Sequence, residues 1–84
     1  KRPSGNPEVN DMLKVVRKLR SHAAEKIRTA SREAGNRSRK ASKDRVITEE
    51  EELRLLEAIN AAMRKYLDDA DKELEQKEKE ILES

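Results

Sequence analysis

Seven cations recur along the first half of the chain: Lys14, Arg17, Lys18, Arg28, Arg32, Arg39 and Lys43. At about 100° per residue they fall within an arc of about 100° on a helical wheel. Among acids only Glu25 shares that arc. A cationic stripe along some 40 Å of rigid helix suits the phosphates of a nucleic acid, giving affinity that is salt-dependent and mostly independent of sequence. The competing reading is a solvated face whose charges pair with acidic neighbours. The scarcity of acids on the stripe favours RNA.

Other chemistry has little to work with. There is no cysteine, which excludes disulfides, thiolate metal sites and cysteine nucleophiles. His22 is the only histidine, so a histidine-based metal site or catalytic triad would need a second chain, and a surface or packing role suits it better. Asp68, Asp69 and Asp71 share a helical segment and cannot wrap a calcium ion as a loop can; they read as a solvated face. "RTAS" and "RKAS" match short basophilic kinase patterns at Ser31 and Ser42, where phosphate would oppose the basic stripe. No catalytic residue, metal ligand or cofactor is expected, and the chain is not expected to be an enzyme.

The elements that must carry the stripe follow from composition and spacing. The chain has 84 residues, 45% charged and 33% hydrophobic, with Tyr66 its only aromatic, too little to enclose a core alone. Its abundant Ala, Leu, Glu, Lys and Arg favour long helices. No apolar run approaches the roughly 18 residues of a membrane span, so no membrane partner is expected. The start at Lys1 rather than Met, with no signal-peptide core after it, suggests a piece of something longer. Net charge is +2, but residues 1–45 hold 14 Lys and Arg against 5 Asp and Glu, and residues 46–84 hold 6 against 13. The halves, at +9 and −7, are electrostatic opposites, suited to a polyanion on one side and solvent or a basic neighbour on the other.

Residues 1–6 read as a linker, with Asn6-Pro7 as a helix start. Met12, Val16, Leu19, Ala23, Ile27, Ala30 and Ala34 then mark a narrow apolar stripe of about 80°, and the basic helix runs over 7–43 with a possible bend at Gly35-Asn36. Residues 44–48 form a turn. Thr48 and Glu51 make a capping box that starts an acidic helix over 49–83. Leu53, Leu56, Asn60, Met63, Leu67, Ala70, Leu74, Lys77 and Ile81 give it a heptad-like seam, widened by Leu55, Ile59, Ala62 and Tyr66. The fold class is all-α, a long antiparallel helical hairpin, and two helices enclose no core. A third helix, from missing chain or from a partner, should cover the wide apolar face.

The run from "LKVVRKLRSH" through "KDRVITEEEE" to "KEKEIL" resembles the C-terminal part of ribosome recycling factor. The matching features are Val16-Arg17, Arg28, Lys43-Asp44, Ile47-Thr48-Glu49 and the ending at 77–82, in family order over about residues 12–83. The resemblance implies helices two and three of a three-helix bundle, with the first helix and an inserted β-domain outside this chain. It further implies docking on large-subunit rRNA near the peptidyl-transferase centre, with ribosomal proteins nearby and an elongation-factor GTPase as co-worker in splitting post-termination ribosomes. Arg28 stands where the family has an rRNA-contacting arginine, and Arg32 in the arginine-rich turn that follows. Ser31 and Val9 stand where the family usually has further functional arginines, which implies weaker docking, by about 1.5–3 kcal/mol per charge-assisted contact.

Three readings follow. The chain is a divergent recycling factor, with the mitochondrial matrix as expected setting and a bacterial-type cytoplasm as alternative. Alternatively it is a structural component or assembly factor of an organellar large subunit without recycling activity. The third is an unrelated coiled-coil interaction module.

Overall fold

Asn6 begins the first helix by accepting a hydrogen bond from the Glu8 amide on its side-chain oxygen at 2.9 Å, with Pro7 at the first helical position, where its missing N–H costs nothing. The computed structural model describes residues 5–83; residues 1–4 of the expected linker, and Ser84, lie outside the described residues. Helix α1 spans Pro7–Lys43 and helix α2 spans Glu49–Glu83, and the two run antiparallel. Helix α1 runs unbroken through Gly35, which is buried on the side facing α2.

The turn is fixed by backbone bonds. The Arg45 amide donates to the Ser42 carbonyl at 3.0 Å and the Val46 amide to the Ala41 carbonyl at 2.8 Å, the paired bonds of a Schellman motif. Arg45 holds the left-handed conformation at φ 61° that this motif requires. The capping box then closes reciprocally: the Thr48 amide donates to Glu51 Oε1 at 2.9 Å, and the Glu51 amide to Thr48 Oγ1 at 3.1 Å. Glu49, Glu50, Glu51 and Glu52 crowd the positive end of the α2 dipole, while Lys40 and Lys43 sit at the negative end of α1.

The hairpin extends 59 × 15 × 15 Å, with a radius of gyration of 18.5 Å. A compact chain of this length would have about 12 Å. Among described hydrophobic residues only Leu13 and Val16 are buried, and no residue of α2 is.

The apolar stripe of α1 is split rather than packed as a unit. Met12 (52% exposed), Leu19 (51%) and Ala30 lie outside the interface. The face against α2 instead runs through Leu13, Val16, Arg20, Ile27, Ser31, Gly35 and Ser38, about 60° round the wheel toward the basic side. Small residues allow this rotation: a Cβ placed on Gly35 would stand 3.6 Å from Leu56 Cδ2, ordinary contact distance for closely approaching helices. On α2, Ile59 joins Leu56, Met63, Leu67, Ala70, Leu74 and Ile81 at the interface, while Leu53, Asn60 and Lys77 of the expected seam are exposed.

Candidate nucleic-acid interface

All seven cations of the stripe are exposed side chains of α1. They gather along one side of the hairpin. Arg17, Arg28 and Arg32 line a shallow groove together with Arg20 and with Asp71 of α2. Arg28, Arg32 and Arg39 line the next groove toward the tip, facing Asn60 of α2. Arg39 and Lys43 continue onto the tip beside Arg45. Lys14 and Lys18 line none of these grooves and stand on the outer crest.

The charges are unequally free. Arg17 Nε lies 3.7 Å from Glu78 Oε2, and Arg39 Nη1 donates to Asn36 Oδ1 at 3.1 Å, so part of each is already engaged. Lys14, Lys18, Arg28, Arg32 and Lys43 form no ion pair with a described residue. Of the two competing readings, a self-neutralised face and a free one, the middle of the stripe fits the second.

Arg20 was not among the residues singled out from the sequence, and it is the strongest electrostatic link between the helices. Its Nε donates to Asp71 Oδ1 at 2.9 Å, its Nη2 reaches the same oxygen, and its Nη1 donates to Glu78 Oε1 at 2.6 Å. The hydrogen bond to Asp71, with the nearby charges of Asp71, Glu78 and Glu75 added, raises its pKa above an already high value against the opposing cost of desolvation. A signal existed: Arg20 is seven residues from Leu13 and from Ile27, a seam spacing, and Asp71 and Glu78 are themselves seven apart.

The other side of the hairpin is apolar. Ile27, Ala30 and Ala34 of α1 and Ile59, Ala62 and Tyr66 of α2 line an open groove there, and Tyr66 is 60% exposed. His22 lies on the outer surface of α1, in a shallow depression shared with Glu25, Lys26 and Glu33 and lined by no residue of α2. Asp68 pairs with Lys72 at 3.0 Å and Asp71 with Arg20, so two of the cluster's three carboxylates are held in ion pairs. Among the described residues no group of His, Cys, Asp and Glu could hold a metal ion, and no helix is long and apolar enough to cross a membrane. The Ser31 hydroxyl donates to the Ile27 carbonyl at 2.9 Å within its own helix.

A long antiparallel hairpin with one cationic and one uncovered apolar side defines an all-α helical arm. More particularly, the chain belongs to the ribosome recycling factor family: the family's sequence model, described as "Ribosome recycling factor", matches residues 6–82. It is 33% identical over 73 residues to the ribosome-recycling factor of Legionella pneumophila (strain Corby), a match covering 87% of this chain and 40% of that relative. The ribosome-recycling factor of Halalkalibacterium halodurans is 34% identical over 73 residues, with the same coverage. That of Neisseria gonorrhoeae is 36% identical over 72 residues, covering 86% of this chain and 39% of the relative. The chain thus spans about 40% of the length of the curated relatives it matches. No solved structure matches it.

Proposed function

We propose that this chain is the ribosome-docking hairpin of a recycling-factor-like protein, with the cationic side of α1 placed against large-subunit rRNA. The observation that carries this reading is the pair Arg28 and Arg32, which line both grooves of that side and have no carboxylate partner among the described residues. Free guanidinium groups suit phosphate, to which they bond bidentately. Lys14, Lys18 and Lys43 add charge along the crest and tip, and Arg17 and Arg39 add what their internal bonds leave over.

Family membership supports a ribosomal setting and leaves the unrelated coiled-coil module without support. The relatives are bacterial proteins, which supports a bacterial-type ribosome and its cytoplasm as the setting. Nothing among them points to the mitochondrion. Ribosomal proteins, an elongation-factor GTPase and a third helix over the apolar side belong to the same proposal. The uncovered faces of Met12, Leu19 and Tyr66 support the last of these.

A second reading, a structural component or assembly factor without recycling activity, is favoured by Ser31, which offers the groove nearer the tip a hydroxyl bonded to its own backbone. Sedimentation separates these ideas. The chain should travel with large-subunit particles, and Arg28→Glu combined with Arg32→Glu should release it; unchanged association would refute the rRNA-docking claim. Enrichment on mature post-termination ribosomes supports recycling, and enrichment on immature large subunits supports assembly.

A further inference from the structure

We propose that the nucleic-acid surface does not end on α1 but crosses the interhelical groove, where Asn60 and Arg64 of α2 form a second contact line facing Arg28 and Arg32. This rests on the RNA reading above. Asn60 lines the groove that Arg28, Arg32 and Arg39 line from the other helix, and Asp71 lines the neighbouring one. Arg64 comes four residues after Asn60 and seven before Asp71, which places it on the same edge of α2. The Gly35 to Leu56 approach and the Arg20 to Asp71 bond fix the antiparallel register. Under it Arg64 stands level with residues 27–28 of α1, and Asn60 with residues 31–32.

Two of the acids nearest Arg64 on its C-terminal side are occupied elsewhere. Asp68, one turn on, is bonded to Lys72 at 3.0 Å, and Asp71 is bonded to Arg20. Arg64 is exposed and forms no ion pair with a described residue. On an acidic helix, a cation left unpaired beside a cationic groove is a charge available to a ligand. Helices packed about 8–10 Å apart bring both lines within reach of one ribose-phosphate backbone lying along the groove. Arg64 would hold a phosphate and the Asn60 amide a phosphate oxygen or a 2′-hydroxyl. Glu57, three residues before Asn60 on that edge and in no ion pair with a described residue, would oppose the same backbone.

The test uses the whole chain and a labelled short RNA stem-loop, with affinity followed by fluorescence anisotropy over a range of salt. Arg64→Gln should weaken binding about fivefold to tenfold at low salt and flatten the log–log salt slope by about one contact's worth. Glu57→Gln should tighten it. Lys77→Gln, the same change of charge at a site eleven residues from Tyr66 and hence on the apolar side, should change affinity less than about twofold. If Arg64→Gln behaves like Lys77→Gln, or Glu57→Gln fails to tighten binding, the second contact line is overturned. In that case abolition of binding by the Arg28→Glu, Arg32→Glu variant leaves the α1 interface standing. If the unaltered chain does not bind the stem-loop, or that double variant binds as well as it does, both ideas fall.

Discussion

Arg45 carries the turn at an energetic cost. It takes the left-handed conformation that closes the Schellman motif, where a Cβ crowds the following carbonyl and glycine does not. Arg45→Gly should therefore stabilise the hairpin by about 0.5–1 kcal/mol, the relief of backbone strain exceeding the added freedom of the unfolded chain. Thermal unfolding followed by far-UV circular dichroism checks this, and a lowered midpoint would contradict it. The capping box at Thr48 and Glu51 was legible from four letters, because both of its bonds lie within one helical turn. The strained residue three positions earlier was not, since no glycine announces it. Gly35 carried the opposite risk: in isolation it suggests a bend, yet the structure uses it to bring Leu56 close.

At the scale of the elements, the two helices, their antiparallel pairing and the cationic stripe could all be read from spacing, since periodicity reports which residues share a face. What spacing cannot report is which part of an apolar face meets which neighbour. The stripe from Met12 to Ala34 was visible, but α2 takes only one edge of it and adds Arg20, Ser31, Gly35 and Ser38, whose residue types do not advertise burial. Arg20 then has a role that its charge alone conceals. It ties the N-terminal half of α1 to the C-terminal half of α2 through Asp71 and Glu78, at the end of the hairpin far from the turn. Its pKa is raised by the bond to Asp71, so its stabilising contribution is present at lower pH and is lost only as pH rises through that elevated value. Over the working range the arginine stays charged. Arg20→Gln should let the open end fray, with faster amide exchange near residues 13–24 and 67–82 and little change near the turn. Slowed exchange there, or an equal increase along both helices, would argue against a local clamp.

The whole molecule is a rod whose two long sides differ in character, and that difference decides what it can do alone. On the proposed reading, the cationic side takes a polyanion. The apolar side, with Met12, Leu19, Leu55 and Tyr66 all more than 40% exposed, takes a covering helix. Buried apolar area is the main favourable term in folding, at roughly 25 cal/mol per Å². A hairpin that buries only Leu13 and Val16 among its described hydrophobic residues draws on little of it. Its long helices are nonetheless well capped and rich in good helix formers. The chain by itself should therefore be helical but loosely held, with a broad thermal transition and clear enhancement of a hydrophobic dye such as ANS. Tyr66, the sole aromatic, reports the same state, because its fluorescence should be open to quenching by iodide in the isolated chain and shielded once a third helix is present. A sharp two-state transition without dye binding, in a chain shown to be monomeric by sedimentation, would mean that two helices suffice and that no third is required to complete the bundle.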